Sequence, residues 1–223
     1  MGSEMCIRDS SSRENVRKEK MITQKEKQLG SLFAKVAAIG VAANFVVGIF
    51  LIGPDSVGYS STYGPLQSVV GFVTNFAWLG IFMYASKICD AENNPYFRLI
   101  SNGLFVMTAF NLMNAFVGPS YETANNTLFS TSEIAEIYGA NWVVWNVFFG
   151  LYALVFLRSA GKELLPRWGV IFGTIVGYTL SWFPIVLAFT TPPQIVGLIL
   201  GLGVGVISYP IFIFSISKAF DNA

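Results

Sequence analysis

The chain has 223 residues, of which 53% are hydrophobic and only 12% charged, about half the charge fraction of an ordinary soluble domain. Its net charge of +1 argues against nucleic acid as a partner, because phosphate binding needs a basic surface. It contains no histidine, which removes the commonest general base and metal ligand and with them His-ligated haem and zinc.

From the N-terminus, residues 1–12 contain no apolar run of the kind a signal peptide needs. The stretch Met5, Cys6, Ile7, Arg8, Asp9, Ser10 resembles translated adaptor read-through, so residues 1–12 are expected to be non-native, with Met21 a candidate start. Residues 1–29 as a whole are polar and mixed in charge and are expected to form a disordered or interfacial lead-in. A transmembrane domain is expected over 30–218, followed by a short tail over 219–223.

A bilayer core about 30 Å thick needs about 20 mostly apolar residues per helix. Six segments meet this, at roughly 31–52, 67–86, 99–117, 137–157, 168–189 and 195–216. Breakers separate them. Gly53, Pro54 and Asp55 follow the first, and Asp90 through Pro95 follow the second. Gly118 and Pro119 follow the third, Gly161 through Pro166 the fourth, and Pro192 with Pro193 the fifth. The expected fold is an all-α bundle of six transmembrane helices.

Loop charges orient this bundle. Lys25, Lys27, Lys87, Arg98, Arg158, Lys162, Arg167 and Lys218 all fall on one side of it. The opposite loops contain no Lys or Arg, only Asp55, Glu122, Glu133 and Glu136. By the positive-inside rule both termini are cytoplasmic, in the inner (plasma) membrane. Lys35, near the inner end of the first span, can snorkel to the surface.

Small residues predict how the helices pack. Gly169, Gly173 and Gly177 recur every fourth residue on the fifth span, and Gly197, Gly201 and Gly205 on the sixth. Each trio shares a face, and such faces let backbones approach closely. The two stripes are expected to meet near Gly177 and Gly205. The remaining parts are left for another helix, a homo-oligomer or a partner subunit. Gly40, Asn44 and Gly48 form a similar line on the first span. Pro184 and Pro210 remove the donors for the carbonyls of Leu180 and Val206, and simple kinks are expected there.

The spans carry amides where carboxylates would be needed for proton relays. Asn44, Asn75, Asn111, Asn114, Asn141 and Asn146 fall roughly 5–15 Å below the outer boundary at 1.5 Å per residue. Asn111 and Asn114 share a face, and only one of Asn141 and Asn146 is expected to point inward. Tyr178, Ser181 and Trp182 reach a similar depth on the fifth span. Two readings follow. The amides are interhelical glue, or Asn44, Asn75, Asn111, Asn114, Asn146, Tyr178 and Trp182 line a pocket for a small neutral or lipid-like molecule.

Other features carry less. Asn125 with Thr127 forms a glycosylation-type triplet in an outer loop. Glu133 and Glu136 suit a solvated helix start. The two cysteines, Cys6 and Cys89, are too few for a disulfide frame or a metal knuckle, and Cys89 is expected to be a loop thiol without a role. No metal site, cofactor site, nucleophile elbow or phosphate loop is visible, so enzymatic activity is not expected.

Leu164, Leu165, Pro166, Arg167, Trp168 and Gly169, preceded by Phe156, Leu157 and Arg158, resemble the corresponding loop of an uncharacterised family of multi-spanning bacterial membrane proteins. The resemblance extends over roughly 143–187 and implies a membrane location without an activity. The residues explain themselves as well. Pro166 suits a helix start, Arg167 a cytoplasmic anchor and Trp168 an interface position. The chain is thus expected to sit in the lipid bilayer and bind or transport a small neutral or lipid-like molecule. The alternative is an accessory subunit held to a partner by its glycine stripes.

Overall fold

The computed structural model describes residues 22–46, 64–124, 131–190 and 194–223; the side chains at 64, 65, 67, 113–124, 131–139, 161, 162, 194, 197, 198 and 201 lie outside the description. All the regular structure among the described residues is helical. The helices are α1 (Gln24–Val46), α2 (Gly64–Ile88), α3 (Pro95–Ala124), α4 (Thr131–Leu164), α5 (Arg167–Leu180), α6 (Phe183–Phe189) and α7 (Gln194–Leu200). A π-helical stretch (Gly201–Ser208) leads into α8 (Tyr209–Asn222). They build six columns, with α5 and α6 forming the fifth and α7, the π-helix and α8 the sixth.

Five segments among the described residues are long and apolar enough to cross a membrane: Gln24–Val46, Ser68–Ile88, Ala140–Ala160, Arg167–Phe189 and Leu202–Asn222. The expectation of six is met for five of them. The exception is α3, whose described side chains from Pro95 to Leu112 include Arg98, Asn102 and Asn111.

Several helices outrun their expected ends. α1 begins inside the supposed lead-in because Thr23 and Glu26 form a capping box: Thr23 N–H donates to Glu26 Oε2 at 2.8 Å and Glu26 N–H to Thr23 Oγ1 at 3.3 Å. α3 runs through Gly118 and Pro119 to Ala124, and α4 passes Gly161 to end at Leu164. The supposed tail is also helical, with Ala219 and Phe220 fully buried.

Polar contacts gather the helix ends at one basic pole. Lys87 pairs with Glu26 at 2.6 Å, joining the end of α2 to the start of α1. Asn94 caps α3 by accepting from Phe97 N–H at 3.0 Å, and its Nδ2 donates to Ser159 Oγ of α4 at 2.7 Å. Asn222 Nδ2 donates to the Leu164 carbonyl at 2.9 Å, fastening α8 to the end of α4. Around this frame α1 packs on α2, α2 on α3, α3 on α4, α4 on α5, α5 on α8, and α8 back on α1. The ring therefore closes between the first and last columns.

Aromatic side chains fill the half of the ring near the basic pole. Tyr152 lies 5.1 Å from Phe82, 5.5 Å from Phe97 and 5.7 Å from Phe156, ring centre to ring centre. Phe149, Phe156 and Phe212 are fully buried with them. Such rings contribute by area and by edge-to-face geometry. Cys89, expected as a plain loop thiol, is 4% exposed, and burial pushes its thiol well above the ordinary range.

The glycines pack inside the ring, but not as a matched pair of stripes. A Cβ at Gly169 or Gly173 would strike Ser215 or Phe212 of α8, as expected for neighbouring columns. Gly177 instead admits Leu154 of α4, and Gly205 admits Phe45 of α1. The expected Gly177–Gly205 meeting does not occur, because α4 and α1 occupy those faces. Gly197 and Gly201 lie in α7 and at the start of the π-helix; their surroundings fall outside the description, as does Gly48.

Both prolines act more strongly than a kink. Before Pro184 the fifth column breaks at Ser181 and Trp182, with Trp182 at φ −136° and ψ −33°. Before Pro210 the sixth column widens into the π-helix, where Tyr209 N–H bonds Val204 O and Ser208 Oγ donates to Gly203 O at 2.7 Å. Proline lacks the donor that an α-turn requires, so the chain relaxes just ahead of each.

Candidate functional site

Above the aromatic half the ring is hollow. The cavity has a volume of about 550 Å³ and takes lining residues from all six columns. That size lies within the ordinary range for small-molecule pockets, about 300–1,000 Å³.

Trp78, Trp145 and Tyr209 line it above Phe149. Trp78 stands edge-on to Trp145 at 5.7 Å and to Phe149 at 4.9 Å, while Tyr209 meets Phe149 at 4.8 Å. Trp145 is locked in place by its indole N–H, which donates to Thr108 Oγ1 of α3 at 2.9 Å.

The polar lining comes from separate columns. Asn44 lies on α1, Thr74 and Asn75 on α2, Asn111 on α3, Asn146 on α4, Thr179 on α5 and Tyr209 on α8. Asn75 Nδ2 donates to Gly71 O and Asn146 Nδ2 to Trp142 O, each at 2.8 Å and one turn back on its own helix. Each amide thereby keeps its carbonyl oxygen uncommitted among the described residues. Asn111 Oδ1 accepts from Asn141 Nδ2, which leaves its own amino group as a donor. The Tyr209 hydroxyl is buried without a partner among the described residues. No Asp, Glu, Lys or Arg lines the cavity.

Of the five asparagines expected to line a pocket, Asn44, Asn75, Asn111 and Asn146 share this cavity. The side chain of Asn114 lies outside the description. Asn146 lines the cavity, while Asn141 reaches across to Asn111 of α3. Tyr178 and Trp182 do not line it; they are 64% and 52% exposed. The reason is azimuth. On the fifth column Leu180, Phe183, Pro184 and Leu187 face the cavity, and Tyr178 and Trp182, four apart, share another face. Depth alone had placed them. The missed residues were recoverable by spacing: Trp78 follows Thr74 by one turn, and Tyr209 follows Gly205 by one turn.

Among the described residues no group of His, Cys, Asp and Glu side chains could hold a metal ion. Neither a family model, nor a curated protein, nor a solved structure matches the chain.

Proposed function

We propose that the chain is a six-span protein of the inner (plasma) membrane, with both termini cytoplasmic, that binds or moves a small neutral molecule through the cavity. The observation carrying this is a hollow lined by polar side chains from every column and by no ionisable carboxylate or ammonium. Amide glue would leave no such void, and of the amides lining the cavity only Asn111 pairs with another asparagine among the described residues. An ion would find no counter-charge and would bear the cost of leaving water.

The orientation rests on the basic pole, where Lys87, Arg98, Arg158, Arg167 and Lys218 gather. For α3 as the sixth span, the support is its place between α2 and α4, with Phe97 and Leu104 fully buried. For the partner-subunit reading, Gly169, Gly173 and Gly177 are buried within the ring, while the surroundings of Gly197 and Gly201 lie outside the description.

A thermal-shift screen of the purified protein against metabolites and lipids tests the proposal, repeated with Asn111→Ala and Asn146→Ala. A compound that stabilises the wild type is expected to lose most of its effect on the variants. Identical shifts in all three proteins would sink a site at this layer.

A further inference from the structure

We infer that the cavity takes a polyhydroxylated neutral molecule, a polyol or sugar, held by the amides around its wall over the ring of Tyr209. This deepens the proposed function and rests on reading the cavity as a binding site.

The first observation is the distribution of polar groups. Asn44, Asn75, Asn111, Asn146 and Thr179 come from five different columns, so polar side chains stand around the space. A lipid-like molecule has one polar head. Filling the cavity with its tail would strip water from most of these groups and give nothing back. Each group so orphaned weakens binding about fivefold or more. A molecule with hydroxyls around its rim meets them from several directions at once.

The second observation is the kind of group on offer. Asn75 and Asn146 each spend one amide N–H on their own helix and keep their carbonyl oxygens open among the described residues, while Asn111 accepts through its oxygen and keeps its amino group. The wall is thus mixed, offering both acceptors and donors. A hydroxyl both donates and accepts, so it suits either kind. A phosphate or carboxylate would face uncommitted acceptors and no cation.

The third observation is the aromatic floor. Tyr209 lines it and is 6% exposed, while its hydroxyl oxygen is sealed away from the space. The π-helix ending at Ser208 sets the register at which this ring enters the floor, and such segments occur often at functional sites. Beside it Trp78 and Trp145 supply apolar ring surface, against which the C–H face of a sugar or cyclitol ring packs.

The full chain is reconstituted in phospholipid nanodiscs, because sugar-headed detergents would compete. Glucose, myo-inositol and sucrose are titrated at millimolar concentrations, with 1-octanol and choline as contrasts. Tryptophan emission is the readout, and saturation is required, since sugars stabilise proteins non-specifically at high concentration. A saturable change is expected with at least one polyol. Asn75→Leu is expected to weaken it about three- to tenfold, in line with the loss of one neutral hydrogen bond. Asn146→Leu serves as a second variant should the first fail to remain monodisperse. Saturable binding of octanol or choline that is lost in Asn111→Ala, with no response to polyols, overturns the ligand class and leaves the site standing. Polyol signals that are absent, or unchanged by both Asn75→Leu and Asn146→Leu, overturn the inference. A response to no compound in the earlier screen would remove the site itself.

Discussion

Trp145 donates its indole N–H to Thr108 Oγ1 at 2.9 Å, across two helices and with both side chains buried. The pair ties α3 to α4 beside the cavity. Thr108→Val keeps the shape and deletes the acceptor, leaving the indole N–H orphaned. The expected loss is about 1–2 kcal/mol, bounded by interhelical bonds in membranes at the low end and an unsatisfied buried donor at the high end. Reversible unfolding in mixed detergent micelles measures it; an unchanged midpoint would show the bond to be without consequence.

Gly150 sits where α4 meets the break in the fifth column. A Cβ there would stand 2.4 Å from the Ser181 backbone nitrogen and 2.7 Å from the Leu180 carbonyl carbon. Backbone cannot swing aside as a side chain can, so Gly150→Ala should cost about 1–3 kcal/mol through overpacking. Gly71 has nothing among the described residues within 4 Å of the same position, and Gly71→Ala should be neutral or stabilise by up to about 1 kcal/mol, since alanine is the better helix former. Equal melting temperatures for the two variants would contradict the packing described for the fifth column.

Cys89 is held neutral by burial. A free thiol near its ordinary pKa of about 8.5 passes from about 3% thiolate at pH 7 to about 75% at pH 9. In a Cys6→Ser protein, maleimide labelling of Cys89 should stay slow across that range and rise only on denaturation. The sign for stability follows from the raised pKa. The folded state holds the proton more tightly, so this contribution is complete below pH ~8.5 and is lost as pH climbs above it. Labelling that tracks the free-thiol curve would show Cys89 to be accessible.

The proposed orientation predicts the outcome of reporter fusions. A green fluorescent protein fused after Ala223 should fluoresce, and alkaline phosphatase at the same point should be inactive. The reverse pattern would place the basic pole, with Lys87 and Arg158, on the outside.

Much of this was legible because membranes impose simple rules. Apolar length marked the columns, and the absence of charge let the asparagines stand out. What stayed hidden depended on neighbours. Nothing local told that Phe45 would fill the notch at Gly205, because that contact joins columns distant in sequence. Tyr178 was misplaced because depth follows from residue number, whereas the inward direction depends on which helices flank the column. Gly118 and Pro119 read as a stop, yet α3 continues through them. The broken fifth column was signalled by Pro184, but the size of its effect was not.

The contact of α1 with α8 has a consequence for how the protein is made. Gly30 admits the ring of Phe220, and Phe220 emerges from the ribosome about 190 residues later, a delay of ~10–40 s at ordinary translation speeds. If the chain inserts as proposed, α1 stands in the bilayer throughout that interval with its final neighbour unmade. Its small face of Ala34, Ala37, Ala38 and Val41, buried in the finished ring, would then be covered by lipid tails. On that reading the bundle assembles as an open crescent, and its hollow forms only when the last helix shuts it.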